Sequence, residues 1–405
     1  MKVHPQKTER IHALDSLRAI MMLLGIVLHT AMTYADTDFG DAWILKDIGS
    51  TDISNDYIYQ VIHSFRMQTF FVVAGFFASL LFYERSPKKM IQNRVSRIVL
   101  PLIVFLFVLN APTMFSMIYS YNVFQGSENP LSRALNYVSE QPFLPETTMH
   151  LWFLYYLSMI SAVSVGMALL LKKLPAVTRP MSQAFNWVIK RPILRVVIFA
   201  ALTSVVYLIM GTWYTEKYNN FTPNFNSFLY YSFFYFTGWI LFKSKHLLNK
   251  MMKLDWACAI LGLTLYTAYL ILSLIFPPFN LITHVLVKSL VVWLFIFGIT
   301  GLFIRYGSNH SPLMRYVSDS SYWVYLLHLP LTMLIPGLIA DWPLPSTLKM
   351  LFVVLSTGVI CFVSYHFLVR GTFIGKFLNG RKYSRKLSDL KQAEASPQLK
   401  TALDK

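Results

Sequence analysis

Apolar runs long enough to cross a bilayer recur along almost the whole chain. They fall at roughly 13–35, 60–83, 98–119, 149–171, 196–212, 226–242, 256–276, 282–304, 321–340 and 347–367. A helix of about 20 apolar residues spans the hydrocarbon, and lipid offers no partner to an unpaired backbone group. The repetition therefore predicts an all-α, polytopic membrane protein with about ten transmembrane helices. Composition agrees, because only 14% of the 405 residues are charged, against about 25% in soluble domains. The first run is too long for a cleavable signal peptide, lacks a small-residue cleavage site and is followed by others like it.

The connections alternate in charge. Residues 84–97, 172–195, 243–253 and 305–315 are rich in Lys and Arg, whereas 36–59 holds six aspartates against Lys46 alone. Residues 120–148 and 213–225 are similarly poor in basic groups. The positive-inside rule puts both termini and the basic connections in the cytoplasm. The net charge of +17 thus reflects loop asymmetry, not a nucleic-acid surface. Three segments follow: a cytoplasmic start over 1–12, a transmembrane domain over 13–367, and a basic, flexible cytoplasmic tail over 368–405 that touches anionic lipid in its first half. Cys258 and Cys361 sit inside apolar runs and form no framework. Walker A, dinucleotide-fingerprint and HExxH sequences are absent, and the histidines are scattered over different spans, so neither a metal nor a tightly bound cofactor is expected.

Ionisable groups inside spans are costly and need a partner, a wet cavity or a task. In LDSLRAIMMLLGIVLHTAM, Arg18 and His29 are eleven positions apart, about 16 Å along one face of a helix. Asp15 lies one turn before Arg18; an interfacial ion pair and a functional charge pair both fit. HSFRMQTFFVVAGFF brings His63 and Arg66 into the second span, with Gly75 suited to close helix packing. HLWFLYYL begins the fourth span at His150, among belt aromatics. SDSSYWVYLLHLP carries Tyr322, Tyr325 and His328 as a partly polar stripe, with Asp319 and Ser320 as helix-start signals and Pro330 loosening the backbone.

These four blocks, in this order, resemble the membrane-bound acyltransferase 3 family over most of residues 10–367, and within it the branch that succinylates osmoregulated periplasmic glucans. The resemblance maps the family histidine to His29 and the motif arginine to Arg18. It implies a bacterial inner-membrane O-acyltransferase with succinyl-CoA as donor substrate, periplasmic glucan as acceptor, and membrane lipid and glucan-synthesis proteins as partners. A fused extracellular SGNH-type hydrolase domain, which some relatives carry, is not seen.

Acyl transfer to a hydroxyl requires a base near the attacking oxygen and stabilisation of the oxyanion. On this reading His29 is the catalytic base. Asp15, Arg18, Tyr325 and His328 bind or orient the donor. His63, Arg66 and His150 face the acceptor or the acyl carboxylate. Transfer of acetyl or another acyl group to a different extracytoplasmic polysaccharide uses the same residues. A transporter or flippase also accommodates buried Arg and His.

Overall fold

The computed structural model describes residues 11–142, 144–215 and 219–385. Among these the chain is helical, with one isolated β-bridge between Thr147 and Asn220. The helices are α1 (His12–Thr33), α2 (Ile53–Leu80), α3 (Pro87–Arg94), α4 (Leu100–Phe124), α5 (Pro130–Glu140), α6 (Trp152–Lys172) and α7 (Pro175–Ile189). They continue as α8 (Pro192–Met210), α9 (Phe225–Lys243), α10 (Asp255–Ile275), α11 (Leu281–Gly307), α12 (Pro312–Leu338), α13 (Ser346–Ser364) and α14 (Phe373–Asn379). Nine helical segments among the described residues are long and apolar enough to cross a membrane. The expected sixth span forms α9, which has the length, at 19 residues, but is not among the nine. Its Tyr, Ser and Asn content lowers its apolarity and suits it to burial between protein neighbours.

The helices begin where local chemistry dictates. The Asp52 carboxylate accepts from the Ser54 amide to cap α2. Ser86 caps α3 ahead of a proline at the first helical position, where the missing N–H costs nothing. The same Ser-Pro device, Ser311–Pro312, starts α12. This corrects the expected start at Asp319 and Ser320, which instead lie buried inside the helix. A π-helical turn over Val95–Val99 joins α3 to α4, making one segment from Pro87 to Phe124.

Helix α1 is the axis of the site, packed against α2, α11, α12 and α13. Helix α2 runs closely along α9. A Cβ on Gly75 would collide with the backbone of Tyr235, and one on Gly238 with that of Val72, so the two glycines let the backbones touch. The loop after α1 is folded down: Trp43 donates from its indole to Thr33 (3.0 Å), and buried Asp47 pairs with buried Lys349 of α13 (2.9 Å). Residues 370–385, the first part of the expected tail, are packed against the bundle through α14 and hydrogen bonds to Asp319, Phe367 and Arg370. Residues 386–405 lie outside the described residues, as do residues 1–10 of the N-terminal segment.

Candidate active site

Two cavities along α1 hold most of the candidate site residues. The smaller, about 50 Å³, is lined by His29, His63, Arg66, His150, Tyr325 and His328 together with apolar and aromatic side chains. The larger, about 300 Å³, is lined by Arg18, Arg94 and Arg97, with Asp319 as its carboxylate. Phe153 of α6 borders both. Arg18 and His29 thus face different chambers of one bundle, as their spacing on the helix dictates.

The small chamber is a histidine cluster. The His29 ring stands 5.4 Å from that of His328, which stands 5.6 Å from that of His150. On its other side His29 stacks on Trp43 at 5.3 Å. His328 Nδ1 lies 2.7 Å from the Tyr325 carbonyl. A carbonyl only accepts, so in the neutral ring Nδ1 carries the hydrogen and Nε2 keeps the lone pair. That Nε2 is buried and has no hydrogen-bond partner among the described residues. His150 is fixed the opposite way, Nε2 donating to the Leu326 carbonyl at 3.1 Å, which leaves Nδ1 as its acceptor atom. The Tyr325 hydroxyl donates to the His150 carbonyl at 2.7 Å, locking α12 to the turn before α6.

Arg66 supplies the positive charge. It is only 6% exposed, and its Nε donates to the Met21 carbonyl of α1 at 3.0 Å. Among the described residues no carboxylate lines this chamber. The guanidinium fits because α1 has a glycine opposite it. A Cβ on Gly25 would come within 2.9 Å of an Arg66 terminal nitrogen and 3.1 Å of His328 Nε2.

In the large chamber Arg18 is bridged to Asp15 (3.4 Å) and lies over the Phe77 ring (5.6 Å). Arg94 donates to the Ala74 carbonyl at 3.3 Å, and Arg97 to the carbonyls of Lys376 and Phe377 at 3.1 and 2.9 Å. Tyr322 donates to the Arg97 carbonyl at 2.9 Å. Asp15 itself lines a separate crevice with His12 and Arg315.

A model of the acyltransferase domain matches residues 11–366. The chain belongs to the acyltransferase 3 family. Curated relatives named glucans biosynthesis protein C, from Salmonella paratyphi B (strain ATCC BAA-1250 / SPB7) and Salmonella dublin, are each 26% identical over 337 residues, covering 80% of this chain and 83% of theirs. No solved structure matches. Family membership supports an acyltransferase function, and with the long apolar helices it assigns the protein to the bacterial inner membrane.

Six residues singled out in this acyltransferase's sequence therefore meet in one chamber: His29, His63, Arg66, His150, Tyr325 and His328. Tyr325 and His328 stand beside His29, not beside Arg18 with which the sequence grouped them. The arginines that share the chamber of Arg18 had been counted only as loop charges. Their one-turn spacing, Arg94 to Arg97, at the head of a span was the available signal. Gly25 and Trp43 were also missed. Gly25 stands one turn before His29 and so shares its face, whereas nothing local marks Trp43. Among the described residues no three His, Cys, Asp or Glu side chains are grouped to hold a metal.

Proposed function

We propose that this acyltransferase transfers a succinyl group from cytosolic succinyl-CoA to a hydroxyl of a periplasmic glucan, with the Arg18 end of α1 in the cytoplasm. The observation that carries the reading is the pair of chambers on one helix, one lined by three arginines and the other by four histidines and a buried arginine. Three guanidiniums suit the phosphates of a coenzyme A donor. The thioester arm then extends past Phe153 toward Arg66. The printed name of the relatives concerns glucan biosynthesis, which supports a glucan acceptor.

Chemistry follows from the small chamber. The His29 imidazole takes the proton of the acceptor hydroxyl as its oxygen attacks the thioester carbonyl carbon. The carbon–oxygen bond forms and the carbonyl π electrons move onto oxygen. Arg66 stabilises that oxyanion, worth most in a site that excludes water. Collapse of the tetrahedral adduct breaks the carbon–sulfur bond, and the leaving thiolate recovers the proton from His29. His328, with its Nε2 lone pair toward the cavity, is the second proton acceptor of the pair. The Tyr325 carbonyl and the His150 ring hold the His328 ring in register.

The test uses purified protein in vesicles, labelled succinyl-CoA on one side and glucan on the other. Succinyl ester on the glucan, lost in His29→Gln while membrane insertion is kept, is the expected result. Ester formed from labelled acetyl-CoA but not from succinyl-CoA, glucan transport without ester, or normal ester content in His29→Gln would overturn the reading.

A further inference from the structure

The residues matched to the family end at 366, yet the chain beyond them forms part of the large chamber's wall. Leu378, Asn379 and Tyr383 line it alongside Arg18, Arg94 and Arg97. The segment is held at several points. Arg97 donates to the carbonyls of Lys376 and Phe377 (3.1 and 2.9 Å), at the end of α14, where the helix dipole favours a cation and the Lys376 carbonyl also accepts from the Gly380 amide at 2.9 Å. Asn379 donates from its amide to the Asp319 carbonyl, and the Tyr383 hydroxyl to the Asp319 carboxylate, each at 2.9 Å. Buried Arg370 donates to the Ser384 carbonyl at 2.6 Å, and its guanidinium lies 5.6 Å from the centre of the Tyr383 ring. Gly380, at φ +84°, turns the chain here, and a Cβ at this point would collide with the Arg97 guanidinium.

From this wall we infer that residues 373–385 form a strap that closes the donor chamber and binds the phosphate-bearing end of the acyl donor. The inference rests on the donor reading above. The strap carries exposed Lys376, Arg381, Lys382 and Arg385 outside the lining of a chamber that itself holds three arginines, with Asp319 as the opposing charge. Such a set favours a ligand with several phosphate charges, the nucleotide end of coenzyme A, over a short thioester. The Tyr383 hydroxyl donates to the Asp319 carboxylate and Asn379 to its backbone carbonyl, so the strap supplies a hydrogen-bond donor to the acidic side chain in the chamber lining. Arg97 is tethered to the strap by one terminal nitrogen, which leaves the rest of its fork for a phosphate oxygen.

The experiment measures CoA affinity by calorimetry on the purified full chain in detergent, on a chain stopped after Thr372, and on the double variant Asn379→Ala, Tyr383→Phe. The double variant keeps the test alive if the shortened chain does not fold. Wild type is expected to bind CoA. The shortened chain is expected to bind it at least about 10-fold more weakly, as loss of hydrogen bonds around charged groups implies. The double variant should raise KM for succinyl-CoA with kcat within about twofold, a split that general unfolding does not give. Bound CoA should also slow tryptic cleavage at Arg381 and Lys382. Equal CoA affinity in wild type and both variants overturns the strap and leaves the donor reading standing. Failure of wild type to bind CoA overturns the donor reading itself.

Discussion

Adding one methyl group at Gly25 separates a role in chemistry from a role in packing. Its Cβ would lie 2.9 Å from an Arg66 terminal nitrogen and 3.1 Å from His328 Nε2, so both must yield by several tenths of an ångström. Neither can move freely. Arg66 is tied through Nε to Met21 and His328 through Nδ1 to Tyr325. Overpacking of this kind costs about 1–3 kcal/mol, which a large bundle survives because the groups displaced are side-chain ends. The displaced groups are those proposed to hold the oxyanion and the proton. A misplacement on the scale of 1 Å costs about 10²-fold in rate, equivalent to roughly 2.7 kcal/mol of barrier. Gly25→Ala should therefore insert and purify like wild type, lose a few degrees in detergent melting, and fall about 10²-fold in kcat for succinyl transfer. Gly75→Ala is the control. Its Cβ meets the Tyr235 backbone, so α2 and α9 must separate and folded yield should collapse. Wild-type kcat in Gly25→Ala, or an equal loss of folded protein in both variants, would refute the argument.

Four other outcomes follow from particular contacts. His328→Asn keeps an amide near the Nδ1 position but removes the Nε2 lone pair, so melting should hold while kcat drops by at least about 10²-fold, read in a single-turnover assay. Trp43→Ala uncovers the face of His29 now stacked at 5.3 Å, and carbethoxylation of His29, followed by mass spectrometry, should speed up. Lys349→Met strands the buried Asp47 carboxylate (6% exposed) and should cost about 3–5 kcal/mol; adding Asp47→Leu should recover much of that loss in melting. The Asp52 carboxyl is held below the ordinary carboxylate range by its hydrogen bonds from Ser54. Its cap on α2 is thus fully present above the ordinary pKa and lost as pH falls through the lowered one. Hydrogen exchange at the Ser54 amide should quicken across that acid window and not at neutral pH.

The membrane class was legible because a spanning helix must be apolar over its whole length, a property of consecutive residues. α9 marks where that logic fails. It is buried mainly by protein, so its tyrosines and serines face partners, not lipid, and its apolarity no longer reports its position. The start of α12 was misjudged for a related reason: Asp319 and Ser320 are good capping residues, but Ser311–Pro312 upstream already satisfies the helix start. In the site, His29, His63, Arg66, His150, Tyr325 and His328 were visible because ionisable or polar groups in apolar runs are expensive. Arg94 and Arg97 were hidden among loop charges, where a cation is ordinary.

By itself the sequence determined the membrane class, most of the spanning segments and, through eleven positions on one helix, the separation of Arg18 from His29. Those follow from local periodicity and from the cost of burying charge. Which groups share a chamber was decided by packing alone. Gly25 admits Arg66 and His328 to the face of α1, Phe153 borders both chambers, and the turn at Gly380 brings Tyr383 back to Arg97. Such contacts join residues from tens to hundreds of positions apart, and only the folded bundle brings them within reach.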